Sequence, residues 1–402
     1  MKKRYDQIRS INPKTGRNIN RAIILNAIRE KQPISRTRIS EITELNKSTV
    51  SNIVTTLLKE DLVKEEVARN SEIGRNPLAL SIRRGKNYVG AINIDSNRAT
   101  LAIVDIDGSV EEKLTIDTDA KNPAVFIGRC LDELKKMHAR SHPKVLRGIG
   151  ISVAGIVDST HSKVLYSSNL GWRDLNVGSI VQEHSPDIEL ITVENDAKAS
   201  ALAELIMGKH GMAASNSIFL SIGPGIGAGI VVDNHILSGS SHAAGEYGHM
   251  TLIEGGIQCS CGNKGCWEMY ASDRATIDHY LALKAMGKSS ETKISVDDLI
   301  DAAINGKTEA LEALRRTAKY IGLGIAIIIR TIDPQDIIIG GSITRAWDII
   351  QPVILETVDR RGFFGQDRKA IIHPTSLTDN PPLLGAAALS IRKMFTDYRI
   401  VL

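Results

Sequence analysis

At 402 residues the chain is too long for one ordinary core, and roughly 100–200 residues per domain gives two to four domains. Apolar residues make up 42% of it, yet no apolar run reaches the roughly 18 residues of a membrane span; the richest, Ile321 to Ile332, is broken by Gly322, Gly324 and Arg330. The polar start Met1-Lys2-Lys3-Arg4-Tyr5-Asp6 has no signal-peptide core, so the expectation is a cytoplasmic protein without membrane attachment. The net charge of +4 is unevenly spread: residues 1–84 carry +9 and the remainder −5. A basic head on a mildly acidic body suits a polyanionic partner for the head, although an ordinary solvated surface explains charge alone equally well.

The head reads as three helices and a hairpin. Asn18 to Glu30 places Ile24, Leu25 and Ile28 on one face. Ser35 is suited to cap a short helix ending near Thr43, and Asn46 to cap the next. In that third helix Val50, Ile53, Val54, Leu57 and Leu58 fall at helical spacing, and only Glu44-Leu45-Asn46 separates it from the second, the tight turn of a helix-turn-helix. Its outer face, Lys47, Ser48, Thr49, Ser51, Asn52 and Thr55, is short, polar and free of acids. Such side chains can approach base edges in a major groove, whereas solvated faces more commonly carry Glu and Lys. Leu62 to Val67 and Ala79 to Ile82 read as a strand pair, and their connector, with Arg69, Gly74, Arg75 and Asn76, as a wing whose Arg75 meets backbone or minor groove. The segment from Ile34-Ser35-Arg36 to Gly74-Arg75-Asn76-Pro77 resembles the winged head of repressors in the ROK family (repressors, open reading frames and kinases). Ile73 stands where family members often have a second glycine.

From Tyr88 the pattern changes to strands. Tyr88 to Ile94 and Ala99 to Asp105 flank Asp95-Ser96-Asn97-Arg98; later, Ser217 to Ile222 and Gly229 to Asp233 flank a Gly-rich turn. Helical patterns follow each pair, among them Val125 to Arg140. Two such starts suggest a duplicated α/β architecture. The whole body, to Gly385-Ala386-Ala387, resembles the ROK fold, a two-lobed sugar kinase/actin-like (ribonuclease H-like) arrangement closing on a cleft. The expected organisation is a winged helix-turn-helix over 1–84, a first α/β lobe over 85–195 completed by the C-terminal helix near 382–402, and a second lobe over 196–381 that carries the cysteines and a dimerisation surface.

In kinases of this fold two Gly-rich hairpins hold ATP phosphates by backbone N–H groups. Here the first has lost its glycines, and in the second Pro224 replaces a usual Thr, removing one donor and a hydroxyl. Other motifs survive. Glu194-Asn195-Asp196 resembles the family's Glu-Asn-Asp, whose Asp is the catalytic base of the kinases; a helix N-cap also explains an Asn-Asp pair, and both roles can coexist. Gly245-Glu246-Tyr247-Gly248-His249 resembles Gly-Glu-x-Gly-His. The resemblance implies sugar binding by Asn195, Asp196, Glu246, His249 and Glu268. Trp172 is either a stacking platform or a loop anchor, and Gly340-Gly341 is either a nucleotide-side loop or a strand-to-helix turn.

Of four cysteines, Cys130 stands alone while Cys259, Cys261 and Cys266 lie within eight residues. Clustered cysteines in a chain without a secretion signal indicate metal more often than disulfide. With His249 they form a Cys₃His set suited to one structural Zn²⁺ per chain, since four protein ligands leave no open position. The spacing matches the ROK zinc site. The combined expectation is a sugar-responsive repressor of carbohydrate uptake or catabolism genes: a homodimer, or dimer of dimers, on double-stranded operator DNA, with a monosaccharide effector in a degenerate, non-enzymatic kinase domain. The alternative is an active ATP-dependent ROK sugar kinase with a regulatory head.

Overall fold

A computed structural model describes residues 13–67, 78–140, 145–209, 215–285, 294–361, 370–377 and 380–396. The head opens with α1 (Pro13–Lys31), α2 (Arg36–Thr43) and α3 (Lys47–Lys59), then β1 (Val63–Val67) paired antiparallel with β2 (Leu78–Ile82). The caps are those anticipated. Ser35 accepts from the Arg38 N–H, and Asn46 accepts from the Thr49 N–H at 2.8 Å. Glu44 takes a left-handed φ of 58° to end α2, and Ser40 Oγ donates to the Leu45 carbonyl at 2.6 Å, fixing the turn. The wing tip, with Arg69, Gly74, Arg75 and Asn76, lies outside the described residues.

The body is one topology used twice. The first lobe has β3 (Asn87–Ile94), β4 (Arg98–Asp105), β5 (Val110–Asp117), α4 (Pro123–Arg140) and β6 (Val145–Val153). There follow the small antiparallel sheet β7 (Ile156–Asp158), β8 (Lys163–Ser167) and β9 (Trp172–Asn176), then α5 (Val177–His184) and β10 (Ile191–Asn195). The next elements are α6 (Asp196–Met207), β11 (Ser217–Ile222), β12 (Ile226–Val232), β13 (His235–Ile236), α7 (Glu268–Ala271), α8 (Asp273–Ala285), α9 (Val296–Ile304) and α10 (Thr308–Ile332). The chain closes with β14 (Asp336–Gly340), α11 (Trp347–Asp359), β15 (Ile371–Pro374) and α12 (Pro381–Thr396). The first sheet runs β5-β4-β3-β6-β10 and the second β13-β12-β11-β14-β15. Each is an antiparallel meander of three strands extended by two parallel strands at its first member.

Buried apolar strands and helices give each lobe its own core, around Ile92, Leu101 and Phe126 in the first and Ile218, Trp267 and Ile325 in the second. The head does not stand apart. Ile24, Ile28, Val54 and Leu80 share one continuous core with Val89, Val104, Leu383 and Phe395. Arg147 donates to the Glu60 carbonyl at 2.9 Å, and Asn87 Nδ2 to the Asp61 carbonyl at 2.7 Å, seating the head on the first lobe. Among the described residues no helix is long and apolar enough to cross a membrane.

Candidate functional site

On α3 the packing residues Val50, Ile53, Val54 and Leu57 are buried, so the opposite face points outward. Lys47, Ser48 and Asn52 are exposed and Thr49 and Ser51 half-buried. Ser48 Oγ donates to Asn46 Oδ1 at 2.8 Å, which ties it to the cap at the helix start.

The cleft is built where β10 runs into α6. Asn195 is the helix cap: its Oδ1 accepts from the Lys198 N–H at 3.0 Å and its Nδ2 donates to the Gly155 carbonyl at 2.9 Å, so one amide hydrogen remains for a ligand. Asp196 follows at the first helical position. Burial pushes its carboxyl up to about 6, with the negative charges of Asp95 and Glu246 adding to the effect. Glu246 is also raised, by burial first and by Glu268, while His249 and Lys198 oppose it. Asp196 thus feels Asp95 of the first lobe and Glu246 of the second, and Glu246 feels His249 and Glu268, which lie 3.4 Å apart.

Glycines set this geometry by close approach. A Cβ on Gly229 would lie 2.4 Å from the Ala197 carbonyl, and one on Gly245, at φ +94°, 2.1 Å from the Ala228 carbonyl. Strand β12 is therefore sandwiched between α6 and the segment that carries Glu246 and His249, and it holds the two motifs face to face.

The cysteine loop completes the wall. Cys261 Sγ lies 3.6 Å from Cys266 Sγ, and His249 Nδ1 3.7 Å from Cys259 Sγ; all four ligand atoms fall within 4.8 Å of one another. A tetrahedral zinc with Zn–S near 2.3 Å requires ligand–ligand edges of about 3.8 Å. A disulfide requires about 2.05 Å. The donor set thus fits a tetrahedral thiophilic cation rather than a disulfide. Glu268 Oε1 lies 3.4 Å from His249 Nδ1 and accepts from Cys259 Sγ at 3.1 Å. With Nδ1 turned to the sulfurs, Nε2 is the nitrogen left for the cleft.

The first hairpin, Asp95 to Arg98, is closed on itself. Asp95 Oδ1 accepts from the Ser96 N–H at 2.6 Å, the Asp95 N–H donates to the Arg98 carbonyl at 3.0 Å, and Thr118 Oγ1 donates to the Asp95 carbonyl at 2.9 Å. In the second, the Gly223 N–H donates to the Gly225 carbonyl at 3.0 Å and Pro224 has no N–H. Trp172 is buried with Nε1 donating to the Ala120 carbonyl at 2.9 Å, which makes it an anchor of the first lobe. Gly341, at φ +113°, leaves a strand-to-helix turn.

Sequence reasoning missed Lys198. Its Nζ donates to the His242 carbonyl at 2.7 Å, beneath the loop carrying Glu246, and burial lowers its pKa against the opposing charges of Glu194 and Glu246. A lysine inside an Ala-rich helix gives no signal of this; only the packing of β12 on α6 buries it. His242 Nε2 in turn lies 3.8 Å from Asp158 of the first lobe.

Residues 89–393 match the family model described as "ROK family". The chain belongs to the ROK family. It is 34% identical, over 93% of its own length and 95% of the other's, to the xylose repressor of Bacillus spizizenii. Among solved ROK structures it is similar to a transcriptional regulator described as a homologue of the Escherichia coli MLC protein, with a TM-score of 0.83, 28% identity and coverage of 95% of this chain and 97% of that one. It is also similar to a ROK glucokinase from Streptomyces griseus, solved with glucose and AMPPNP, with a TM-score of 0.65, 26% identity and coverage of 75% and 99%.

Proposed function

We propose that this ROK protein is a sugar-responsive transcriptional repressor. The observation that carries this reading is the match along nearly the whole chain, head included, to a xylose repressor. The outward polar face of α3 supports DNA binding by Lys47, Ser48, Thr49, Ser51 and Asn52, with Arg75 on the wing. One such helix reads only a few base pairs, so the protein acts as a homodimer on an inverted repeat in the cytoplasm, its heads over half-sites about 34 Å apart. Asn195, Asp196, Glu246, His249 and Glu268 take a monosaccharide, with D-xylose the first candidate from the relative's name. One structural Zn²⁺ on His249, Cys259, Cys261 and Cys266 holds the His249 ring and Glu268 against the sugar.

The kinase alternative rests on Asp196, a carboxylate lifted into the range of a working base. Against it stands the first hairpin, where the Asp95 and Ser96 amides are engaged within the turn and no glycine remains. Asp196 is therefore an acceptor for a sugar hydroxyl. ADP release, followed with ATP and a panel of pentoses and hexoses, separates the two: the repressor reading expects only the background rate. Turnover with any sugar establishes the kinase.

A further inference from the structure

Where the head meets the body lies a cavity of about 400 Å³. That is within the range of small-molecule sites, about 300–1,000 Å³. It is walled by five parts of the chain. Arg29, Gln32 and Ile82 come from the head, and the link that follows it adds Arg84. Ile106 and Asp107 come from the first lobe, Ile206 and Met207 from the end of α6, Ser376 from the segment after β15, and Leu384 from α12.

Most of the polar groups on this wall are already engaged. Gln32 accepts from the Ile82 N–H at 2.8 Å and donates to the Arg29 carbonyl at 3.1 Å. Arg84 pairs with Asp107 at 2.7 Å, and Ser376 Oγ donates to Glu204 at 3.0 Å. Arg29 is the exception. Three-quarters of its side chain is withdrawn from solvent, yet among the described residues its guanidinium has no hydrogen-bond partner. Its nearest carboxylate oxygen, on Glu30, is 3.9 Å away, and it lies over the Phe395 ring at 5.4 Å. A half-buried guanidinium with unused donors beside a roomy cavity can receive an oxyanion. The single planar fork fits a carboxylate. The wall mixes polar groups with the aliphatic side chains of Ile82, Ile106, Ile206, Met207 and Leu384, and with Asp107 at its edge it suits an organic carboxylate better than a dianion such as a phosphate ester.

We propose that this cavity is a second effector site, for a small carboxylate with an apolar body. Its occupant touches the head through Arg29 and Ile82 and α6 through Ile206 and Met207. Helix α6 begins at Asp196, in the proposed sugar site, so both ligands act on one rigid rod about 18 Å long. The effect on DNA rests on the repressor reading; the binding does not.

The test is calorimetric titration of the full-length protein with hexanoate, with hexanamide as the neutral control. Hexanoate is expected to bind saturably, and Arg29→Met to weaken it about tenfold or more, the loss of a charge-assisted hydrogen bond. Leu384→Trp, which fills the cavity, is expected to do the same. An unchanged thermal transition and sugar response in both variants show that the fold is kept; if either fails to fold, Arg29→Lys and Ile206→Trp take their places. No saturable heat, equal binding of hexanamide, or full affinity in Arg29→Met overturns the site. In the second arm, on a duplex selected by the protein from a random pool, hexanoate is expected to change affinity by about fivefold or more. Binding of hexanoate with unchanged DNA affinity overturns its role as an effector. Failure to select any duplex overturns the repressor reading and leaves the carboxylate site standing.

Discussion

Asp95 to Arg98 and Gly223 to Gly225 occupy the same place in two copies of one topology, each joining the first and second strands of its meander. In the first lobe the turn is closed by its own side chain, with the Ser96 N–H on Asp95 and the Asp95 N–H on the Arg98 carbonyl. In the second the turn keeps Gly223, where a Cβ would meet nothing within 4 Å, while Gly227 and Gly229 on β12 lie against Ala197 and Ala201, where any Cβ would collide. The glycines that follow such a turn thus serve helix packing as readily as phosphate binding. Whether backbone donors are free, not whether glycines are present, distinguishes the two uses. Glu268 stands close to the second hairpin, its Oε2 3.0 Å from where a Cβ on Gly225 would be, and accepts from Cys259 Sγ of the cysteine loop.

That asymmetry sets the expected size of each perturbation. The largest falls on the second lobe. Cys261→Ser is expected to abolish the roughly one equivalent of zinc and to destabilise the fold by about 4–5 kcal/mol, the scale of a lost structural metal. Elemental analysis and chemical denaturation check it, and a folded, sugar-responsive protein without metal would remove the zinc from the account.

Next comes the carboxylate that both lobes crowd. Asp196 titrates near 6 in the folded protein against 3.8 in a free chain, so its ionised form destabilises the fold above pH 6, and that penalty fades as the pH falls towards 4. At about 1.4 kcal/mol for each unit, Asp196→Asn is expected to be up to about 3 kcal/mol more stable than wild type at pH 7.5. The gap should narrow at pH 5.5. Denaturation curves at the two values measure it; a gap independent of pH would mean that Asp196 is not crowded.

The head is governed by neither hairpin. Ser51→Ala with Asn52→Ala is expected to weaken operator binding by about 1–3 kcal/mol for each base contact removed. Unaltered binding in fluorescence anisotropy would move recognition to another element. The smallest effect is expected from Ser96→Gly in the closed hairpin, roughly 0.5–1 kcal/mol of stability and no gain in ADP release. A gain would show that the turn's own hydrogen bonds, rather than the missing glycine, had been misjudged as the barrier to ATP.

Much of this was legible in the sequence. The caps Ser35 and Asn46 fall where local chemistry alone places them, because an Asx or Ser acceptor at a helix start depends on little beyond its own turn. The duplicated halves were visible in the two strand pairs, and the Cys₃His set in the spacing of His249, Cys259, Cys261 and Cys266. What the sequence did not reveal lies in tertiary packing. Lys198 reads as a surface lysine until β12 covers it. Trp172 could be placed only once its Nε1 was seen on Ala120, across 52 residues. The continuity of the head with the first lobe, through Val89, Leu383 and Phe395, depends on a C-terminal helix that no local pattern associates with residue 24.

The claim that this chain is a sugar sensor on a DNA-binding head is tested most directly by operator affinity with and without D-xylose, on wild type, Asp196→Asn and Glu246→Gln. Sugar changes DNA affinity only by binding two conformations unequally, and a coupling of about 1–3 kcal/mol corresponds to a roughly 5- to 150-fold loss of operator affinity for the wild type. Both variants should bind the operator as wild type does without sugar and lose most of the response to it. Operator affinity unmoved by any monosaccharide in wild type, or moved equally in the two variants, would contradict the account.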